Sequence, residues 1–81
     1  MTVKQAKQEL QLMTWPQKDA MYNIVFVNSA GRDDETQFDI HGEKTLEETA
    51  EELSSLFADF CNENGFTEDS VQSIYYAGPI V

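Results

Sequence analysis

The sequence predicts a small α+β domain whose elements follow the order helix, strand, strand, helix, strand. Residues 46–64 carry apolar side chains at helical spacing over five turns. Residues 21–41 hold two β-type segments around a short turn, and residues 71–77 form a third. A chain of 81 residues must bury these elements in two layers around one core. We therefore expect a single domain over residues 1–81, with a three-stranded antiparallel sheet and the long amphipathic helix on one face.

The N-terminal segment predicts a helix over residues 2–13. Thr2 and Gln5 have the spacing of a capping box. One helical stripe carries the apolar side chains Val3, Ala6, Leu10 and Met13. The stripe is narrow, so a strand over residues 10–15 is an alternative. Proline ends either element, and residues 16–20 are expected to form a loop.

The hairpin is predicted over residues 21–41. Residues 24–27 are β-branched or aromatic throughout, which predicts a strand covered at least in part on both faces. Apolar and polar side chains alternate over residues 35–41, as in a half-buried strand. The segment between them has turn composition, and Gly42 is expected to end the second strand.

The long helix has start and stop signals at both ends. Thr45 and Glu48 form a second capping box, and Gly65 suits a left-handed C-cap against which Phe66 can fold back. Its apolar arc consists of Leu46, Ala50, Leu53, Leu56, Phe57, Phe60 and Cys61. In the last strand the adjacent Tyr75 and Tyr76 must point to opposite faces, one into the core and the other toward a partner. The alternation predicts Val71, Ser73 and Tyr75 on one face, with Gly78-Pro79 ending the strand.

Charge is the most unusual property of the sequence. The formal net charge is −10, and residues 33–69 hold thirteen acids against Lys44 alone. Such a surface repels phosphates, so direct binding to nucleic acid or to an anionic membrane is not expected. It attracts basic protein surfaces.

The long helix carries acids of one sign on its polar face. They are Glu47, Glu48, Glu51, Glu52, Asp59 and Glu63. Like charges at i,i+4 destabilise a helix by about 0.2–0.5 kcal/mol per pair. This face is either a plain solubilising surface or an acidic binding face whose function justifies that cost. A row along it, Glu48, Glu52, Asp59 and Glu63, would span about 22 Å. Asp33, Asp34 and Glu35 at the hairpin turn extend the same field.

Catalytic, metal and cofactor motifs are not evident. The single cysteine, Cys61, allows no intramolecular disulfide and lies on the apolar arc, and no signal segment is evident. His41 is interpreted as an exposed residue at a strand end rather than as a ligand or base. We expect a non-enzymatic cytoplasmic protein without cofactor or metal.

The stretches TLEETAEELSSLFADF and RDDE resemble the acidic surfaces of small phage-encoded inhibitors of nucleic-acid machinery, such as anti-CRISPR proteins, uracil-DNA glycosylase inhibitors and other DNA mimics. The resemblance implies an inhibitor or adaptor that docks on a basic, nucleic-acid-binding protein. On this view, Glu48→Lys with Glu52→Lys abolishes binding and leaves the fold intact, with Glu9→Lys as the control. The alternative is a structural homodimer that pairs through its uncharged C-terminal strand, SVQSIYYAGPIV, and whose acids only give solubility.

Overall fold

A three-stranded antiparallel sheet forms one layer of the protein, described here over residues 1–81 from a computed structural model. Two helices form the second layer, and the strand order β2-β1-β3 places the first strand in the centre. The predicted α+β class and element order are confirmed. The elements are α1 (Lys7–Leu10), β1 (Gln17–Val27), β2 (Asp33–Lys44), α2 (Leu46–Asn64), a 3₁₀ turn (Glu68–Ser70) and β3 (Val71–Pro79).

Helix α2 has the bounds that its sequence predicts. The Thr45 hydroxyl accepts from the Glu48 amide (3.2 Å), and the Glu48 carboxylate accepts from the Thr45 amide (3.1 Å), which completes the capping box. At the other end Gly65 is left-handed, with φ 77°, and its amide donates to the Cys61 carbonyl. Both ends are therefore set by local chemistry.

One hydrophobic core lies between the helices and the sheet. From Ala20 onward, every second residue of β1 is buried in it: Ala20, Tyr22, Ile24 and Phe26. The centroid of the Phe26 ring lies 5.5 Å from that of Phe57, 5.4 Å from that of Phe60 and 5.1 Å from that of Phe66. Phe66 therefore folds back on the end of α2, as predicted. This aromatic cluster joins the C-terminal half of α2 to the end of β1 next to the hairpin turn.

The N-terminal segment forms much less helix than predicted. Only Lys7–Leu10 is α-helical, although both capping-box hydrogen bonds between Thr2 and Gln5 are present. Its backbone bonds mix i→i+3 and i→i+4 spacing, because the segment follows the surface of α2 and β3 to bury its apolar stripe. Leu12 lies outside this stripe and is 89% exposed.

The strands extend beyond their predicted limits. Strand β1 begins at Gln17, so the predicted loop over residues 16–20 is wrong. A bulge at Asp19, which has φ 47°, lets the hydrogen-bonded pairing of β1 with β2 continue through this segment. Gly42 does not end β2, since the Asp19 carboxylate accepts from its amide (2.8 Å) at that bulge. Gly78 and Pro79 also remain in β3.

Only one face of the sheet is covered. The prediction that β1 is covered on both faces is wrong, because α1 and α2 share one core and no helix lies on the other side. A register shift in β3 also moves Val71 onto the helix-covered face, opposite Phe26. Tyr75 and Tyr76 do point to opposite faces, but they are 42% and 40% exposed, so neither is a core residue.

Candidate protein-binding surface

The acids of α2 differ in their partners. Lys4 lies 3.2 Å from Glu51, Lys7 contacts Glu47, and Lys44 lies 3.9 Å from Glu52. The two lysines of the N-terminal segment thus neutralise one flank of the helix. No local sequence pattern signals this arrangement, because Lys7 and Glu47 are 40 residues apart and the partners in each pair belong to different segments of the fold.

Glu48 has a structural role. The Glu48 carboxylate closes the capping box. Its hydrogen bond with the Thr45 backbone, and to a smaller extent one with the Thr45 side chain, lower the pKa of Glu48 below its ordinary value. Glu48→Lys would remove this acceptor from the helix N-terminus. The expectation that Glu48→Lys with Glu52→Lys leaves the fold intact stays a prediction, and the pair is a poor test of binding because it changes the helix cap as well as the surface charge.

Apart from Glu48, whose carboxylate closes the capping box, five of the candidate acids have no ion partner. No cationic nitrogen lies within 4.0 Å of them, and all five are exposed: Asp33, Asp34, Glu35, Asp59 and Glu63. We call these the unpaired acids. They lie toward the hairpin-turn end of the molecule, because Asp33 pairs with Val27 and the neighbouring Phe26 contacts Phe60 of α2. The structure brings Asp33, Asp34 and Glu35 together on β2 and keeps Asp59 and Glu63 on the helix layer.

The uncovered side of the sheet forms a second candidate surface, which we call the open face. The cross-strand register places four central side chains of β1 between acids of β2 and uncharged residues of β3. Its members are Met21, Asn23, Val25 and Val27 in β1, Asp33, Glu35, Gln37 and Asp39 in β2, and Gln72, Ser73 and Tyr75 in β3. No lysine or arginine is among them.

A hydrogen-bonded network crosses the open face. The Tyr75 hydroxyl donates to one Glu35 oxygen (2.7 Å), and the Asn23 amide nitrogen lies 3.0 Å from the other Glu35 oxygen and 3.0 Å from the Tyr75 hydroxyl. The three residues belong to three strands, so the network holds an aromatic ring and a carboxylate in fixed positions. Sequence periodicity placed Tyr75 on a different face from Tyr76 but could not reveal its partners.

The outer edge of β3 is partly occupied by the N-terminal segment. A Glu9 carboxylate oxygen accepts from the Ile74 amide (2.8 Å), and the N-terminal amine donates to the carbonyls of Asp69 and Val71. These contacts use backbone groups that a second strand would need. Glu9 is therefore structural, and Glu9→Lys is unsuitable as a neutral control.

The remaining candidates show no catalytic arrangement. His41 is exposed, and no three His, Cys, Asp or Glu side chains are grouped as a metal site requires. Burial, with a smaller effect of Glu68, raises the pKa of the Cys61 thiol, which keeps it protonated at neutral pH. Trp15 lines a shallow groove with Pro16 and Leu46, and its ring nitrogen is used in a bond to the Leu10 carbonyl (2.8 Å).

Neither helix has the length and hydropathy needed to cross a membrane. Comparisons with protein families, with curated proteins and with solved structures find no match to this chain.

Proposed function

We propose that this protein is a non-catalytic, cytoplasmic acidic binding protein that docks on the basic, nucleic-acid-binding surface of another protein. It would act there as an inhibitor or adaptor of the kind seen in phage-encoded anti-CRISPR and DNA-mimic proteins. The supporting observation is the distribution of ion pairs. Three pairs leave twelve of the fifteen acids and only two of the five bases, Lys18 and Arg32, without an ion partner. The net charge of −10 therefore comes from carboxylates that no ion pair within the protein neutralises.

Carboxylates that lack a local cation attract lysine and arginine on another protein, and this attraction speeds association at low ionic strength. The unpaired acids on β2 and on α2 are the strongest candidates for these contacts. Glu47, Glu51 and Glu52 are weaker candidates because a lysine already lies beside each of them.

The test is capture of partners from a host-cell lysate by the immobilised protein, with identification by mass spectrometry. Asp33→Asn with Glu35→Gln and Asp59→Asn with Glu63→Gln each remove two negative charges from unpaired acids. Glu47→Gln with Glu51→Gln is the matched control, since it removes the same charge from paired acids. We expect nucleic-acid-binding proteins to be captured at low salt, released at high salt and lost with at least one unpaired-acid variant. Equal capture by all variants would mean that the acids only solubilise the protein.

A further inference from the structure

We infer that the open face of the sheet is the docking site, and that its occupant is a single basic amphipathic helix of the partner protein. This inference rests on the proposed function, and it assigns the central contacts to the sheet rather than to α2. The composition, the dimensions and the charge of the open face all fit this occupant.

The composition of the open face is that of an interface with an apolar centre and a polar rim. Val25, Val27 and Met21 lie along the middle strand and are half-buried without any covering element. Beside them Tyr75 is 42% exposed, and its hydroxyl is fixed by Glu35 and Asn23. A tyrosine already held in place loses little conformational entropy on binding, and tyrosine is enriched among the residues that dominate binding energy.

The dimensions of the open face fit one helix. Three strands spaced about 4.8 Å apart give a width of about 10 Å between the outer strands, which is close to the diameter of an α-helix with its side chains. From Asp33 to Asp39 the face extends for six residues of β2, or about 20 Å at 3.4 Å per residue. A helix of about 13 residues covers that length.

The charge of the open face defines the chemistry of the helix. Asp33, Glu35 and Asp39 occupy one long edge, while the β3 edge presents uncharged Gln72, Ser73 and Tyr75. A complementary helix therefore has an apolar stripe with lysine or arginine along one flank. Basic helices of this kind are common in proteins that bind nucleic acids. A helix bound to the open face could not bind nucleic acid at the same time.

The first experiment is a titration of the isotope-labelled protein with a synthetic helical peptide of about 14 residues, followed by NMR. The peptide carries leucines on one face and lysines on one flank, and a second peptide has glutamate in place of each lysine. We expect the lysine peptide to shift the backbone signals of Asn23, Val25, Glu35 and Tyr75, and the glutamate peptide to shift none of them. Shifts confined to Asp59, Glu63 and their helical neighbours would overturn the inference.

The second experiment separates docking from general electrostatic attraction. Val25→Asp adds a negative charge at the apolar centre of the open face. If binding is general electrostatic attraction, this charge should strengthen binding of the lysine peptide. If the peptide docks on the open face, the affinity should fall at least about tenfold, because the new carboxylate would be buried among apolar groups. Tyr75→Asp repeats the test at an exposed position on an edge strand, in case the first variant does not fold. Leu12→Asp adds the same charge at a residue 89% exposed and outside the open face, and it should change the affinity by less than about twofold.

The outcomes distinguish this inference from the proposed function. If both open-face variants bind the lysine peptide as well as Leu12→Asp does, docking on the sheet is excluded, while capture of basic proteins from lysate would still support the proposed function. If the lysine peptide does not bind at all, the inference is overturned, and the lysate experiment decides the proposed function separately.

Discussion

The hydroxyl of Tyr22 is buried on the helix-covered side of the sheet without a hydrogen-bond partner. Burial, with a smaller contribution from Tyr76, raises the pKa of Tyr22 from 10.0 to about 12. An unpaired buried hydroxyl destabilises a fold by about 1–3 kcal/mol relative to one that is satisfied. The ring of Tyr22 therefore stabilises the core, whereas its hydroxyl opposes folding.

Tyr22→Phe should raise the free energy of unfolding at pH 7 by about 1 kcal/mol, because it removes the unsatisfied group and keeps the ring. Urea denaturation measures the change. Tyr75→Phe is the matched control; it removes a hydroxyl that has partners and should not stabilise the protein. A loss of stability in Tyr22→Phe would show that the hydroxyl is satisfied in solution.

The same tyrosine predicts a dependence on alkaline pH. As the pH rises, the unfolded chain releases the Tyr22 proton near pH 10 and the folded chain releases it near pH 12. The folded state binds more protons in this interval, so stability that is fully present below pH 10 is lost between about pH 10 and 12. The fall in the free energy of unfolding over this interval should be smaller in Tyr22→Phe than in the native protein. Parallel curves for the two proteins would contradict the assignment.

At the scale of single elements, α2 depends on its N-terminal capping box. Thr45→Ala should lower the free energy of unfolding by about 1 kcal/mol, since it leaves the Glu48 amide without its hydrogen bond. Glu48→Gln is the control, because glutamine can still accept from the Thr45 amide. Thermal denaturation followed by circular dichroism compares the three proteins, and an unchanged midpoint in Thr45→Ala would mean that the cap is dispensable.

Helix α2 was predictable because its signals are local. Thr45, Glu48 and Gly65 mark its ends within one turn, and its apolar arc repeats through five turns. The path of the N-terminal segment could not be predicted in the same way, because it depends on the distant contact between Glu9 and Ile74. Strand lengths were underestimated for a similar reason, since the bulge at Asp19 is stabilised by Gly42 of the neighbouring strand.

The candidate surface was predictable only in part. The sequence identifies the acids, but the lysines that pair with Glu47 and Glu51 come from the N-terminal segment. It also places Tyr75 and Glu35 in strands, but not in a common network, because that requires the strand order β2-β1-β3. Buried Thr49 and Ser54 in α2 were missed as well, since polar residues give no periodic apolar signal.

The contact between Glu9 and the edge of β3 gives a further prediction. Glu9→Ala frees the Ile74 amide, so it should lower the free energy of unfolding by about 1–2 kcal/mol and increase self-association through the exposed edge. Glu9→Gln keeps an acceptor and should resemble the native protein. Analytical ultracentrifugation over a range of concentrations measures the dimer fraction, and no increase in Glu9→Ala would exclude a protective role for Glu9.

At the scale of the whole molecule, two electrostatic effects oppose each other. The net charge of −10 destabilises the folded state through self-repulsion, while three ion pairs at the surface stabilise it. Exposed pairs contribute only about 0–1 kcal/mol each. The repulsion among the twelve acids without an ion partner should therefore be the larger effect.

Added salt should consequently act with opposite signs on folding and on binding. Raising the ionic strength from about 20 mM to about 300 mM screens the repulsion, so the melting temperature should rise, while the affinity for a lysine-bearing partner should fall. A variant with Asp33→Asn, Asp34→Asn, Asp59→Asn and Glu63→Gln has a smaller net charge and should show a smaller change in both measurements. A melting temperature that falls with salt would mean that the pairs of Lys4, Lys7 and Lys44 outweigh the repulsion, and that the acidic surface is locally balanced rather than open to a basic partner.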